Sequence, residues 1–164
     1  MTLSFRLTIF LLMICGASLQ AQSLKPDELA ALKKYKLGKI DSFMMAKGFQ
    51  KQVFNDDADM KVIGYTVTTA TDSGAAQRSL HVGWQNKMKL LTLEYGLWLK
   101  SEALSFSKQL VQSGYKRATT SLPDLDGKSS LQMISYKKGL TTIQYKEMGQ
   151  DSGTVYIFSI EDDR

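Results

Sequence analysis

Cysteine, histidine and proline are scarce in this sequence of 164 residues, which contains one, one and two of them. The cysteine, Cys15, lies in an apolar N-terminal segment, so a chain that loses this segment has no thiol and can form no disulfide. The single histidine, His81, argues against a metal centre, because such centres normally collect several His, Cys or acidic ligands. We therefore expect no metal and no other cofactor, and a domain held together by its apolar core.

The first 21 residues have the three parts of an export signal. Arg6 supplies the positive start, Leu7 to Gly16 is almost wholly apolar, and Ala17 to Ala21 is small and polar. The apolar run is about 10 residues long, half of what a membrane-spanning helix needs. We expect cleavage after Ala21, with Ala17 as second choice, and a periplasmic or secreted mature protein. An uncleaved anchor is the alternative.

Cys15 raises the question of lipidation. A lipoprotein signal needs a small residue directly before the lipidated cysteine, whereas Ile14 is bulky and β-branched. The sequence therefore favours a released, soluble protein over a lipoprotein anchored through Cys15.

The mature chain is modestly basic. Loss of Arg6 leaves 20 Lys and Arg residues against 16 Asp and Glu, a net charge of +4. The basic residues occur in pairs, at Lys33-Lys34, Lys116-Arg117 and Lys137-Lys138, and none forms a run of five or more. This scatter is typical of solvated surface lysines, so we expect no nucleic-acid partner.

Capping residues and hydrophobic periodicity predict three helices and eight strands. Pro26-Asp27-Glu28 starts a first helix, which Gly38 ends and which is short enough to lie on the surface. A second short helix covers Phe43 to Lys47, and a longer one runs from Ser101-Glu102 to Ser113. Period-two alternation predicts strands near Gln50–Phe54, Met60–Thr69, Arg78–Asn86, Lys89–Gly96, Tyr115–Thr120, Ser130–Lys137, Leu140–Met148 and Thr154–Glu161.

The two halves of the chain repeat this order of elements. Each reads as a helix, a glycine followed by an aromatic residue, a short strand, an acidic loop and three more strands. Gly48-Phe49 matches Gly114-Tyr115, and Val62-Ile63-Gly64-Tyr65 matches Met133-Ile134-Ser135-Tyr136. A chance likeness between two such halves is the alternative to a true repeat.

This pattern predicts an α+β fold of two tandem helix-plus-four-strand units, which form a mostly antiparallel sheet with helices on one face. The expected divisions are a signal peptide at 1–21, an N-terminal helix and lead-in at 22–40, a first unit at 41–98 and a second at 99–164. Alternation assigns the apolar strand residues to the helix side of the sheet: Ile63, Tyr65, Val67, Leu80, Val82, Trp84, Leu91, Leu93, Tyr95, Ile134, Tyr136, Ile143, Tyr145, Tyr156, Phe158 and Ile160.

The other face of the predicted sheet carries the candidate binding residues. They are the polar and aromatic residues His81, Gln85, Thr92, Thr142, Gln144 and, at the junction between units, Trp98. No catalytic residue is assigned, because the one histidine lies in mid-strand and no serine lies in a G-x-S-x-G turn.

Two loops show the D-x-D spacing of calcium ligands, at Asp57 with Asp59 and at Asp124 with Asp126. A complete EF-hand loop starting at Asp124 would need a glutamate where Ser135 stands. Hairpin turns also use aspartate and glycine for their own backbone reasons, and this is the interpretation that we adopt.

The tandem order of elements resembles the β-lactamase inhibitor protein fold. The resemblance covers most of residues 41 to 161 and is carried by Gly48-Phe49, Gly114-Tyr115 and the aromatic strands. It implies two joined helix-plus-four-strand units whose open sheet binds another protein. It transfers no individual binding residue, and the missing cysteines depart from the disulfide-bearing members.

The leading functional hypothesis is an exported, soluble, non-enzymatic module that binds a protein or peptide through its exposed sheet face. A second hypothesis is a small-molecule or lipid carrier, with a cavity between helices and sheet lined by Met44, Met45, Trp84 and Trp98. A third is a hydrolase that uses His81 with a neighbouring serine or acid.

Overall fold

The computed structural model describes residues 23–71, 74–88, 90–123, 130–150 and 153–163. The predicted export signal, with Cys15, and the aspartates 124 and 126 lie outside these ranges. The described part contains three helices, α1 (Pro26–Leu32), α2 (Leu37–Ala46) and α3 (Lys100–Gln112). Its eight strands are β1 (Gln50–Asp56), β2 (Met60–Thr71), β3 (Gly74–Gln85), β4 (Leu90–Leu97), β5 (Lys116–Pro123), β6 (Ser130–Lys138), β7 (Thr141–Gln150) and β8 (Gly153–Asp163).

All eight strands form one antiparallel sheet in the order β1-β2-β3-β4-β8-β7-β6-β5. Each half of the chain contributes a meander of four strands, and the halves meet where β4 pairs with β8. Leu93 faces Ile160 and Tyr95 faces Phe158 across that seam. The mixed α+β class and the antiparallel sheet are therefore confirmed, and the described part of the chain has more strand than helix.

The helices cover the face of the sheet that alternation assigned to the core. The central contacts are between rings: Phe106 of α3 lies 5.4 Å from Tyr95 and 4.7 Å from Phe158, measured between centroids. Most of the residues predicted to face inward are buried. Three of them, Trp84, Ile134 and Tyr145, are only partly buried because they pack at the edge of the cluster.

The N-terminal helices differ from the sequence expectation. Gly38 was expected to end the first helix, but α1 ends at Leu32 and Gly38 lies in the first turn of α2. Glycine costs a helix about 1 kcal/mol relative to alanine, and here the full burial of Ile40 and Met44 on one side of α2 offsets that cost. The first helix is also no surface helix, because Leu29 and Leu32 are completely buried.

The lead-in to α1 is fixed to the sheet. Leu24 is 2% exposed, and its backbone N–H donates a hydrogen bond of 3.2 Å to the hydroxyl of Tyr95. The N–H of Lys25 donates to the carboxylate of Glu28 at 2.8 Å, which satisfies a free donor at the helix start. The described chain is thus anchored from its first turn, and the opposite sheet face is left to the strands alone.

Candidate binding surface on the outer sheet face

The outer face is the side of the sheet that points away from the helices. One row of residues crosses five strands on this face: Gly64, His81, Glu94, Ser159 and Gln144, each paired with the next across the ladder. The residues next to them in sequence, such as Tyr65, Leu80 and Phe158, point to the other side of the sheet and lie in the core. The period of two therefore separates a packed face from an open one.

A β-bulge puts an aromatic ring on this open face. The register of β1 against β2 shifts between Val53 and Asn55, which leaves Phe54 as the extra residue. Its ring lies directly over Gly64, where a Cβ atom would come within 2.5 Å of Phe54 Cε2. The ring also meets His81 edge-on, with 5.8 Å between centroids. Bulges commonly re-aim a side chain in this way.

A second aromatic residue lies over a second glycine. The indole of Trp98, just after β4, packs against the backbone of Gly96, and a Cβ there would lie 3.3 Å from Trp98 Cζ3. A side chain at Gly64 or Gly96 would crowd the neighbouring ring, so these two strand glycines each create a place for a ring. The outer face gains apolar surface at two points that strand alternation alone would make polar.

Between these features lies a hollow of about 220 Å³. Val155 and Ile157 are 3% and 7% exposed although they point outward, and they form an apolar floor. Met148 is 40% exposed at the rim. The lining residues are Ser79, His81, Glu94, Gly96, Trp98, Met148, Val155 and Ile157.

A charged pair crosses one strand beside the hollow. Lys146 Nζ of β7 lies 3.1 Å from Glu94 Oε1 of β4, and β8 runs between them. The two side chains are 48% and 34% exposed, so the pair contributes little to stability. It does place polar groups at the edge of an apolar floor, and a polar rim around an apolar centre is typical of protein interfaces.

The structure brings some of the predicted binding residues together and separates others. His81 and Trp98 line the hollow, and Gln144 lies in the same row of the sheet. Gln85, Thr92 and Thr142 lie on other rows, near the strand ends that hold the β3–β4 and β6–β7 turns. They are not part of the hollow.

Sequence reasoning missed Phe54 and Met148 as members of this surface. Alternation assigns Glu94 and Lys146 to the outer face, but it did not mark them as binding residues. Glycines inside predicted strands were the available signal, since Gly64 and Gly96 mark close approach of another group. The identity of the approaching ring depends on the bulge in β1 and on the chain direction after β4. Neither can be derived from alternation.

The described contacts give His81 no catalytic geometry. A nucleophile must be hydrogen-bonded to its base, and the base to an orienting group. Ser79 and Glu94 share the hollow with His81, yet no hydrogen bond joins His81 to either of them in the described part of the chain, and Glu94 is paired with Lys146. The imidazole instead packs against Phe54.

The four residues proposed for a carrier cavity do not line one cavity. Met44 is in the core, Met45 is 53% exposed on α2, and Trp98 lies on the opposite side of the sheet. Trp84 donates its indole N–H to Asn86 near a strand end. Alternation could not show this, because Trp98 follows the end of β4 and is not bound by its period.

A different and polar cavity of about 170 Å³ lies between α3 and the sheet. Arg78 donates from Nε to Glu102 Oε2 at 3.1 Å and from Nη1 to Thr69 Oγ1 at 2.6 Å. Burial raises the pKa of the Tyr95 hydroxyl at its wall, so this phenol stays neutral. The partly buried ion pair of Arg78 and Glu102 satisfies its own charges and joins the helix to the sheet.

The described residues hold no cluster of three or more His, Cys, Asp or Glu that could bind a metal ion. Asp59 is paired with Lys87 at 2.8 Å, and Asn55 accepts the N–H of Asp57 at 3.0 Å, which is a turn contact. In the same ranges, no helix is long and apolar enough to cross a membrane.

Comparison with protein-family models, with curated proteins and with solved structures gives no match to this chain. The resemblance to the β-lactamase inhibitor protein fold therefore stays a prediction from the order of elements.

Proposed function

We propose that the protein is an exported, non-enzymatic binding module whose outer sheet face binds a peptide segment of another protein. The hollow between Trp98, Met148 and the Glu94–Lys146 pair is the observation that carries this proposal. The export signal predicted at 1–21 supports a partner outside the cytoplasm.

The size of the hollow favours a peptide side chain over a free small molecule. Pockets for drug-sized ligands measure about 300–1,000 Å³, whereas this hollow holds about 220 Å³ and is open to solvent. That space suits one apolar side chain against the floor of Val155 and Ile157. The rest of the segment would extend across the flat face.

The charges beside the hollow define the partner further. Glu94 and Lys146 present opposite charges 3.1 Å apart, so a partner with charge of one sign gains from one group and is repelled by the other. An amphipathic segment, with one large apolar residue and flanking polar or oppositely charged residues, complements this arrangement. Aromatic residues and methionine are enriched at protein interfaces, and Trp98 and Met148 supply both types beside the hollow.

Selection of a phage-displayed random peptide library on the purified chain tests the proposal. We expect the selected peptides to share one large apolar residue. Their affinity should fall by about tenfold or more on Trp98→Ala, since truncation of an interface anchor costs about 2 kcal/mol. Chemical shift changes on peptide addition should centre on the outer face of β3, β4 and β8.

Met45→Ala is the matched control, because Met45 is exposed on α2 on the helix side of the sheet. It should leave the affinity unchanged. Peptides that bind the Trp98→Ala chain as tightly as the original, or whose shift changes lie on the helices, would contradict the proposal.

A further inference from the structure

The fold collects two separate basic pairs into one corner of the sheet. β5 and β6 pair so that Lys116 stands directly opposite Lys137, and Arg117 and Lys138 are their chain neighbours. All four side chains are exposed. The pairs are 20 residues apart in sequence and form no basic run, so the cluster exists only through the strand register.

This corner has an excess of positive charge that the described residues do not neutralise. Like charges directly opposite in an antiparallel pair are destabilising. Among the residues whose side chains the structure describes, Asp27 is the one acid in salt-bridge distance of these four cations, at 3.8 Å from Lys138 Nζ and itself 71% exposed. The acidic end of β8, Glu161 to Asp163, is separated from β6 by β7.

The same corner carries an exposed leucine. β6 and β7 are joined by a two-residue turn, in which Gly139 has a φ of 59° and Leu140 follows. Leu140 is 98% exposed, the highest exposure among the large apolar residues of the described chain. Its side chain therefore protrudes at the tip of a hairpin whose last strand residues are Lys137 and Lys138.

The turn between α3 and β5 completes the surface. It lies beside the β6–β7 turn, and an open hollow of about 450 Å³ separates the two. The hollow is lined by Gly114, Lys116, Arg117, Lys137, Lys138 and Gly139, together with Ala118. Because two of these residues are glycines, backbone as well as cations is accessible to a group that enters.

We propose that this corner docks the protein reversibly on an anionic phospholipid surface, with the four cations over the headgroups and Leu140 inserted between them. Cations near an anionic membrane each strengthen binding by about fivefold, and burial of one leucine adds roughly tenfold more. A soluble acidic polymer would use the cations but would gain nothing from the leucine. The exposure of Leu140 is therefore the observation that favours a lipid surface.

Vesicle co-sedimentation of the purified chain tests this inference. Binding to phosphatidylcholine vesicles that contain phosphatidylglycerol should exceed binding to phosphatidylcholine alone. It should weaken when salt is raised from about 0.1 M to about 1 M, since the Debye length falls from about 10 Å to about 3 Å.

Two variants separate the contributions of charge and insertion. Lys116→Gln with Lys137→Gln should lower partitioning about twenty-fivefold, at about fivefold per charge. Leu140→Ser should lower it about tenfold. Lys100→Gln with Lys108→Gln, two exposed lysines of α3, removes the same net charge elsewhere and should change partitioning less than twofold. Circular dichroism spectra should be unchanged in all three, because every replaced side chain is exposed.

Equal binding to vesicles with and without phosphatidylglycerol would overturn the proposal. So would an equal loss in the α3 control, which would indicate a response to net charge alone. If the lysine variant loses binding while Leu140→Ser does not, the corner binds polyanions without insertion and the lipid assignment is wrong. The peptide site at Trp98 is independent of all these outcomes.

Discussion

The two faces of the sheet both carry aromatic rings, but they hold them in different ways. On the inner face, Tyr95, Phe106 and Phe158 pack ring against ring and are 4% exposed or less. On the outer face, Phe54 and Trp98 lie over the bare backbone of glycines, and Phe54 remains 54% exposed. Inner rings therefore have little more area to bury, whereas outer rings keep area that a partner can cover.

Together with the proposed function, this difference predicts that one face serves stability and the other recognition. Free energy from burial scales with the apolar area removed from water, at about 25 cal/mol per Å². The inner rings have already gained that free energy on folding, whereas the exposed part of Phe54 can gain it only on binding. Substitutions on the two faces should thus affect different measurements.

The largest expected effect is on the inner face, at Phe158. Phe158→Ala removes a fully buried ring that contacts Phe106 and Tyr145, and we expect a loss of about 3–5 kcal/mol in the free energy of unfolding. Urea unfolding followed by circular dichroism measures it. A loss below about 1 kcal/mol would show that the ring cluster is not the centre of the core.

The inner face was largely predictable from sequence, and the outer site was predictable only in part, at His81 and Trp98. Alternation around Tyr65, Leu80 and Phe158 identified the buried side, because a one-residue shift would turn every apolar side chain to water. The positions of Phe54 and Trp98 depend on a bulge and on the chain path after β4, which are tertiary features. The Lys116–Lys137 pair likewise depends on register, which local sequence does not determine.

The start of α2 shows the same limit for helices. Gly38 reads locally as a helix end, yet it lies inside α2, since the apolar contacts of Ile40 and Met44 decide the boundary. Local propensity is a weak prior against such contacts. The number and order of the helices and strands were therefore predictable from the sequence, whereas the residues at which they begin and end were less so.

The next largest effect tests whether the outer rings depend on glycine. A Cβ at Gly96 would lie 2.8 Å from Ser79 Oγ and 3.3 Å from Trp98 Cζ3, so Gly96→Ala should displace both and cost about 1–2 kcal/mol. In a Trp84→Phe background, the fluorescence emission of Trp98 should shift to longer wavelength, because its indole moves off the sheet and becomes more exposed to water.

Gly83→Ala is the control for this substitution. It lies on the same face, but its nearest neighbour, Thr92 Cβ, would be 3.7 Å away, which is an ordinary contact. We expect it to leave the emission of Trp98 unchanged and to alter stability by less than about 1 kcal/mol. Equal behaviour of the two alanine variants would disprove the glycine argument.

A smaller effect, and one that depends on pH, belongs to the inner side at Asp41. Burial alone would raise the pKa of its carboxyl, but hydrogen bonds from Lys51, at 2.8 Å, and from the Tyr65 hydroxyl outweigh this and lower the pKa below 3.8. The carboxylate thus stabilises the fold above its unfolded pKa, and this contribution is lost as pH falls through the lowered value.

Asp41→Asn should therefore cost about 1 kcal/mol at neutral pH, and the difference from the original chain should shrink as pH drops below about 4. Urea unfolding at several pH values measures this. A difference that stays constant into acid would mean that the charge of Asp41 contributes nothing.

The smallest expected effect on stability gives the sharpest test of the two-face comparison. Met148 is 40% exposed at the rim of the hollow and lies opposite Val155 on β8, so Met148→Ser should change the free energy of unfolding by no more than about 0.5 kcal/mol. The affinity of the Met148→Ser chain for the peptide should nevertheless fall by about tenfold, since contacts at the centre of an interface commonly cost 1–2 kcal/mol on truncation.

Phe158→Ala should show the reverse in conditions where it remains folded, with lost stability and unchanged affinity. If Met148→Ser lost stability and affinity together, the outer face would be part of the core and the separation of roles between the faces would fail.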